Sequence, residues 1–350
     1  HVATAGRGAF GAVIIAAAAD EKTSSSSHRR RLVALKVYEK EKLLKCSLPQ
    51  AMFRERKALL ALEHAFLCEM LFAFQTATRC FYGMPYYVGG SLAGRRCDVE
   101  GARFYACEIA AGVDHLHSWG VVHRDLKPEN VLVDALGHVV VADFGLVAET
   151  GTVVEDSFVG TAQFAAPECL LKKHVVAPSQ DYWALGVLLF ELVKGVRPFE
   201  APTLREEWTS VLRVKSCFAK HGRTGDVGLD ALLERVLVRA PADRLATLDD
   251  FRATPFVRDH IDWAALLRKE LVPPPSVGQV QPPPYVADDG VHLNPDFDLS
   301  RRSFGIDDDH LHRPSDDLPQ PDLFRSAFSG FAVFSREYFP ARSLAGLVVH

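Results

Sequence analysis

The first 84 residues alternate between apolar and polar positions in short runs, with the two-residue period of β-strands. The alternation predicts a hairpin formed by residues 2–5 and 12–19, followed by a third strand over 31–38. Residues 20–30 hold four serines and the start of a basic run, so we expect a solvated loop there. Residues 51–62 have helical spacing of their apolar positions and predict one helix.

From about residue 89 onward, the apolar positions follow the period of α-helices. They predict long helices over residues 99–117, 182–194 and 229–238. Beyond Pro255, two proline triplets and several acidic clusters replace this periodicity, which predicts an extended tail that must pack on another part of the protein. The predicted fold class is α+β, with a strand-rich first part, a mainly helical second part and an extended C-terminal tail.

The composition is that of an ordinary globular protein, with 350 residues, 48% hydrophobic residues and a net charge of −4. This balance argues against nucleic acid as the main partner, which usually requires a basic excess. Seven scattered cysteines without a CxxC pair favour reduced thiols in a cytoplasmic or nuclear protein over a disulfide framework or a zinc site. No apolar run is long enough to span a bilayer and no signal peptide is visible, although we expect further residues upstream of position 1.

Residues 6–13 read GRGAFGAV, in which Gly6, Gly8 and Gly11 form the spacing GxGxxG. Glycines allow the backbone to approach phosphate groups closely and to present N–H donors. Alone, the spacing also fits a plain hairpin turn. A dinucleotide-binding fold is disfavoured because a serine-rich loop and another strand follow, where that fold has a helix and a parallel strand.

The strongest chemical signal is the segment 123–130, HRDLKPEN, followed by DFG at 143–145. It combines carboxylates, a cation and a carboxamide, the groups that phosphoryl transfer from ATP to a hydroxyl requires. With the VALK strand at 33–36 and APE at 166–168, the chain resembles eukaryotic protein kinases, and Lys127 is typical of the serine/threonine type.

The resemblance implies a bilobal kinase fold, with a β-rich N-lobe that carries the αC helix and a mainly helical C-lobe. The catalytic domain would cover residues 1–256, with the N-lobe over 1–84, the hinge over 85–88 and the C-lobe over 89–256. The C-terminal tail would cover residues 257–350.

The resemblance also implies a nucleotide site. Lys36 would hold the α- and β-phosphates of ATP and pair with Glu55 on the αC helix; Glu63 is the alternative partner. The remaining positions that would contact the nucleotide are Gly6, Gly8, Gly11, Val13, Ala34, Met84, Tyr87 and Leu132.

In the central loop, the resemblance makes Asp125 the acceptor that orients the substrate hydroxyl and Lys127 the cation that neutralises the γ-phosphate. Asn130 and Asp143 would supply oxygen ligands to Mg²⁺. Asp181 would anchor the backbone of the loop, and Thr161 would hydrogen-bond near Asp125.

The segment 157–161, SFVGT, is similar to the activation loop of the AGC group of kinases. Phosphorylation of Ser157 by an upstream kinase would place two negative charges opposite Arg124 and order the loop. The chain departs from the group at Ala148, where a basic residue often helps to hold the phosphate.

The tail supports the same group. Residues 262–275 and 294–298 resemble the start and the cleft-crossing part of an AGC tail, and 328–333 resemble its hydrophobic motif, with Phe328 and Phe331 as anchors. Ala332 stands at the usual phosphorylated position. A shifted register through Phe331 and Phe334 would place Ser335 there.

The sequence therefore predicts an ATP- and Mg²⁺-dependent serine/threonine kinase of AGC type that acts on protein substrates and functions as a monomer. Glu129 and Glu191 match acidic positions that favour basic substrates, whereas Ser91 replaces a third acid. The alternatives are a pseudokinase scaffold on the same fold and a small-molecule kinase on a related one.

Overall fold

The computed structural model describes residues 2–8, 11–18, 31–45, 55, 58, 62–76, 78–155, 159–277, 286–287, 290–291 and 333–334. Its strands are β1 Val2–Gly8, β2 Gly11–Ala18, β3 Arg31–Glu39, β4 Phe72–Gln75, β5 Arg79–Pro85, β6 Val121–Val122, β7 Val131–Val133, β8 Val139–Val141, β9 Ala148–Glu149, β10 Val153–Glu155, β11 Lys173–Val175, β12 Val286–Ala287, β13 Gly290–Val291 and β14 Val333–Phe334. Its α-helices are α1 Lys40–Lys45, α2 Val99–Ser118, α3 Ser179–Lys194, α4 Leu204–Leu212, α5 Val227–Val236, α6 Leu248–Arg252 and α7 Trp263–Leu267.

The described residues belong to two compact units. The first draws on residues 1–53, 69–86 and 282–350, and the second on 54–68 and 87–281. Strands dominate the first unit, whereas long helices occur in the second.

The first unit contains a six-stranded antiparallel sheet in the order β1-β2-β3-β5-β4-β14. Val33 and Leu35 of β3 are buried with Leu71 and Phe72 in one apolar cluster. Their two-residue spacing on β3 places both side chains on the same face, which is why the sequence alternation identified this strand. The predicted hairpin is present, and β1 extends to Gly8 because its backbone pairing with β2 continues to Gly11.

The second unit is organised around two buried helices, α2 and α3. Asp98 begins α2 as its N-cap, accepting a hydrogen bond from the Gly101 N–H at 2.8 Å, and this bond lowers the pKa of Asp98. Helix α3 is buried over most of its length and packs closely on α5. A Cβ atom on Gly186 would lie 2.5 Å from the Val236 side chain, so only glycine permits this approach.

Two predicted segments are described only in part. Within residues 51–62, Glu55 and Ala58 are helical and buried, and Leu62 is buried but lies outside any helix; the other positions lie outside the described residues. The start of the tail packs within the second unit. Lys269 contacts Asp134 at 3.1 Å, and the Ser276 hydroxyl donates to Asp98 at 2.5 Å.

A pair of stacked histidines joins the segment before β4 to α2 in the second unit. The rings of His64 and His115 lie 4.9 Å apart, and the His64 Nδ1 accepts a hydrogen bond from the Phe66 N–H. Burial, followed by the positive charges of His115 and Lys269, lowers the pKa of His64 to about 4. Neutral His64 is therefore the form that fits this packing.

This low pKa predicts that acid destabilises the fold. Between pH values of about 6.5 and 4, unfolded His64 binds a proton that folded His64 does not, so stability falls as the pH falls through this range. Thermal unfolding followed from pH 7.5 to 4.5 should show this slope, and His64→Gln should flatten it. His260→Gln, at an exposed position, serves as control. An unchanged slope in His64→Gln would contradict the prediction.

Candidate active site

A buried carboxylate on α3 holds the backbone of the loop that follows β6. Asp181 is 1% exposed and accepts hydrogen bonds from the backbone N–H groups of His123 at 2.8 Å and Arg124 at 2.9 Å. The Nε2 atom of His117 lies 2.8 Å from the same carboxylate. Burial opposes ionisation of Asp181, but the His117 hydrogen bond and nearby positive charge hold its pKa below the ordinary value. The loop backbone is thereby held rigidly to α3.

Asp125 lies at the centre of this loop, and its carboxylate accepts four hydrogen bonds. Its Oδ1 accepts from the Thr161 N–H at 2.9 Å and the Thr161 hydroxyl at 2.8 Å. Its Oδ2 accepts from Lys127 Nζ at 2.7 Å and Asn130 Nδ2 at 2.9 Å. Lys127 Nζ also donates to the Thr161 hydroxyl at 2.6 Å. The structure thus joins a carboxylate, an ammonium and a hydroxyl in one network that orients the Asp125 side chain.

Asn130 and Asp143 flank this network. The Asn130 side chain donates through Nδ2 to the Asp125 carbonyl oxygen and to its carboxylate, which turns Oδ1 away from Asp125. Asp143 has a left-handed backbone, with φ of 65°, and its exposed side chain accepts from the Gly145 N–H at 3.3 Å. Left-handed backbone is costly for a residue other than glycine, and such residues concentrate at functional sites.

Arg124 has the same unusual backbone conformation, with φ of 70°. Gly160, with φ of 106°, passes directly over it, and a Cβ atom at Gly160 would lie 2.9 Å from the Arg124 carbonyl oxygen. The segment that precedes Thr161 therefore requires glycine at this position to reach the loop.

The end of that segment is fixed by a buried ion pair. Arg244 donates from both terminal nitrogens to the Glu168 carboxylate, at 2.8 and 3.0 Å. It also donates to the carbonyl oxygens of Ser179 and Val238 and covers the Trp183 ring. The Asp125–Thr161 contacts and the Asp181 anchor, which the family resemblance implies, are both present.

The second unit also carries an acidic residue with an unusual environment, Glu191 of α3. Burial, together with the negative charges of Glu129 and Glu200, raises the pKa of Glu191, while Arg197 opposes the rise. The Glu191 Oε2 atom is buried and has no hydrogen-bond partner among the described residues. This carboxylate is therefore short of a cation or donor.

The other predicted site residues are distributed over both units. In the first unit, Lys36 of β3 lies opposite Val13 in the sheet register, and its Nζ is 5.3 Å from the centre of the Tyr38 ring. Ala34 lies opposite Met84 of β5. The backbones of Gly6, Gly8 and Gly11 belong to β1 and β2.

In the second unit, Glu55 is 2% exposed, Leu132 lies in β7 and Tyr87 accepts a backbone hydrogen bond from Gly90. Ser157, Phe328 and Phe331 lie outside the described residues. Because Lys36 and Glu55 belong to different units, their pairing stays a prediction.

Three residues near the site escaped the sequence analysis: His117 under Asp181, Glu200 beside Glu191 and a buried histidine, His174, beside Arg124. His117 lies in α2 and His174 in β11, whereas Glu200 lies between α3 and α4. The signal available for Glu200 was its acidic charge next to a proline–phenylalanine turn, whereas nothing local marks the histidines.

The described residues were compared with what a metal cluster and a membrane span each require. They contain no cluster of three or more histidine, cysteine or acidic side chains that could hold a metal ion by themselves. None of their helices has both the length and the apolar character that a membrane span requires.

Comparison with known proteins identifies the family. The sequence matches the protein-family model described as "Protein kinase domain" over residues 1–257. It is similar to the serine/threonine-protein kinase Sgk1 of Oryctolagus cuniculus, at 37% identity over 256 residues, and to that of Homo sapiens, at 36% over 254 residues. In both cases the match covers 69% of this chain and 57% of the relative, so the chain spans little more than half the length of these curated relatives. The family implies ATP and a divalent metal. The predicted family and fold class are thus confirmed: the chain belongs to the eukaryotic protein kinase family, among serine/threonine kinases of AGC type.

Proposed function

We propose that this chain transfers the γ-phosphate of ATP to serine and threonine hydroxyls of proteins. The observation that carries this proposal is the Asp125 carboxylate, oriented by Lys127, Asn130 and Thr161 on a loop tied to Asp181. A scaffold without catalysis does not require a fixed acceptor beside a fixed ammonium. Phosphoryl transfer requires both.

The proposed chemistry assigns each group one task. The substrate hydroxyl donates its hydrogen bond to Asp125, its oxygen forms a bond to the γ-phosphorus, and the bond from that phosphorus to the β-phosphate oxygen breaks. The hydroxyl proton passes to Asp125. Lys127, already 2.7 Å from Asp125, neutralises charge on the transferred group. Thr161 holds both side chains in register.

The proposed metal is Mg²⁺, held by Asn130 and Asp143. The fit rests on the donor chemistry: the Asn130 amide oxygen points away from Asp125, and Asp143 presents an exposed carboxylate. Mg²⁺ prefers such oxygen ligands and completes its shell with water and phosphate, which agrees with the lack of a closed side-chain cluster among the described residues. When bound, it would neutralise charge on the ATP phosphates.

The proposed nucleotide contacts include Lys36 with its partner Glu55 and the glycines of β1 and β2. Val13 and Ala34 lie on neighbouring strands of one sheet, and Met84 lies opposite Ala34. This adjacency supports an apolar surface for adenine on the first unit. Leu132 and Tyr87 are further proposed nucleotide contacts, on the family resemblance alone.

We propose that the substrates carry an arginine near the target residue. Glu191 supports this because the Oε2 atom of its carboxylate is buried without a hydrogen-bond partner within the described ranges, and because burial raises its pKa. A guanidinium group would supply the missing donors and relieve repulsion from Glu129 and Glu200. Arg197 contacts Glu207 at 3.2 Å, so its charge is shared.

Glu191→Gln tests this preference. Hydrogen bonds to charged groups contribute about 1.5–3 kcal/mol, so kcat/KM for an arginine-containing peptide should fall about 10- to 100-fold. For the same peptide with alanine in place of arginine, kcat/KM should differ by less than about twofold between Glu191→Gln and the parent chain. Glu234→Gln, at an exposed acid paired with Arg223, controls for general loss of charge. Equal losses on both peptides would refute a direct contact.

Regulation would come from phosphorylation of Ser157 by an upstream kinase and from docking of the tail through Phe328 and Phe331. Two neighbouring features support these roles. Arg124 lies on the loop that Gly160 crosses. Just after Phe331, Val333–Phe334 pairs with β4 as the edge strand of the first unit.

We further propose a catalytic domain over residues 1–256 and a regulatory tail over 257–350, acting as a monomer in the cytoplasm or nucleus. The contacts of Lys269 and Ser276 support a tail that runs back along the catalytic domain. All six cysteines in the described ranges are free, which fits a reducing compartment.

The deciding experiment is a peptide-library assay with Mg²⁺ and ATP, using the chain with phosphorylated Ser157. Transfer to serine or threonine peptides supports the proposal. Transfer to a metabolite alone would favour the small-molecule kinase, and nucleotide binding without any transfer would favour the pseudokinase scaffold.

A further inference from the structure

His174 is a buried histidine with unmet hydrogen-bonding capacity. It lies in the middle of β11, and its residue is 8% exposed, although its neighbours Lys173 and Val175 point outward. Neither ring nitrogen has a hydrogen-bond partner among the described residues. Buried polar groups are rarely left in this condition, so the position calls for a ligand.

His174 lines a small cavity beneath the activation segment, entirely within the second unit. The cavity wall also includes Arg124, Val159, Thr161, Cys169 and Gln180. Val159 lies two positions after Ser157 in the chain, so the cavity wall reaches the segment that carries this serine.

The carboxylates around the cavity are already engaged. Asp125 binds Lys127 and Thr161, and Asp181 binds His117 and the loop backbone. Glu168, which raises the pKa of His174, is held by Arg244. None of these acids contacts the His174 ring nitrogens.

The basic side chains that line the cavity are His174 and Arg124. Burial first, and then the charge of Arg124, lowers the pKa of His174. Both side chains line the same cavity, so a positive charge on one disfavours a positive charge on the other. An anion between them would remove that repulsion and receive donors from both. The thiol of Cys169, whose pKa burial raises to about 12, adds no charge.

The exposed lysine on the same strand is engaged elsewhere. Lys173 contacts Glu155 of β10 at 2.5 Å, with both side chains more than half exposed. On β11, adjacent side chains point to opposite faces, so Lys173 faces solvent while His174 faces the cavity. Across the strand pair, His174 lies opposite the apolar Val154.

We propose that His174 and Arg124 together bind the phosphoryl group carried by Ser157 once that serine is phosphorylated. This inference rests on the proposed regulation of the kinase. His174 would act as the second basic group, a task that Ala148 cannot perform. Because the dianion stabilises the imidazolium, phosphorylation would convert His174 from a neutral buried ring into a charged donor.

The test uses the full chain with phosphoserine installed at position 157 and follows its ³¹P resonance against pH. Free phosphoserine loses its second proton at a pH of about 6. In the protein, that phosphate pKa should be lower by on the order of one unit, because both basic groups favour the dianion. His174→Gln should recover at least half of this shift, whereas Lys173→Gln should leave it unchanged. Equal values in the parent chain and His174→Gln would overturn the proposal.

A second arm separates the tethered phosphate from free anion. In a Ser157→Ala chain with ¹⁵N-labelled histidine, inorganic phosphate up to about the millimolar range should leave the His174 resonances unmoved, because a tethered group acts at a far higher effective concentration. Saturable movement would instead assign the cavity to free anions and overturn the role of Ser157. Neither readout depends on phosphotransfer, so failure here leaves the proposed kinase activity standing, and the reverse also holds.

Discussion

Asp125→Asn is expected to lower kcat for peptide phosphorylation about 10³-fold, the scale of a lost general base. The carboxylate accepts four hydrogen bonds, two on each oxygen, from Lys127, Asn130 and Thr161. An amide must turn its NH₂ group toward one of these donor pairs. The variant therefore loses both the proton acceptor and the alignment of its neighbours.

Because the asparagine NH₂ group then faces other donors, the substitution should also cost about 1–3 kcal/mol of stability through unsatisfied buried donors. The protein should still fold. Steady-state kinetics with Mg²⁺ and ATP, together with thermal unfolding and nucleotide affinity, separate these effects. Asp226→Asn is the matched control, because Asp226 caps α5 and asparagine caps helices equally well. A folded Asp125→Asn protein with more than about a tenth of parental kcat would contradict the proposed role.

Most elements follow from local periodicity, and their boundaries show where periodicity fails. The sequence predicts a helix from residue 182, whereas α3 begins at Ser179. The extra turn consists of Ser179, Gln180 and Asp181, which are polar yet at most 4% exposed. Tertiary hydrogen bonds bury them, since Gln180 donates to the Val175 carbonyl oxygen and Asp181 receives the loop backbone. A pattern that equates polar with exposed cannot anticipate this.

The residues of the candidate site also divide into those that the sequence predicts and those that it does not. Asp125, Lys127 and Asn130 are predictable because one short loop carries them, and their contacts follow from close spacing. His117 and His174 are not, because α2 and β11 bring them from distant parts of the chain. Their significance depends on burial and on which neighbours remain unsatisfied, quantities that exist only in the folded protein.

Arg244→Ala should cause the largest loss of stability, about 3–5 kcal/mol, because it leaves the Glu168 carboxylate buried without its cation. The Arg244 side chain is 0% exposed and that of Glu168 is 11% exposed. The substitution also removes donors from the Ser179 and Val238 carbonyl oxygens. Arg244→Lys should rescue only part of the loss, since an ammonium cannot form the paired contacts of a guanidinium.

Urea unfolding of the unphosphorylated chain measures this effect, and Arg258→Ala is its matched control. Arg258 also pairs with an acid, Asp259 at 3.4 Å, but their side chains are 62% and 77% exposed. Solvent screens such a pair, so its loss should cost at most about 1 kcal/mol. If Arg244→Ala lowered the free energy of unfolding no more than this control, the prediction that Arg244 compensates the buried Glu168 charge would be wrong. In the double variant Arg244→Met with Glu168→Leu, much of the stability should return, because no buried charge is then left unpaired.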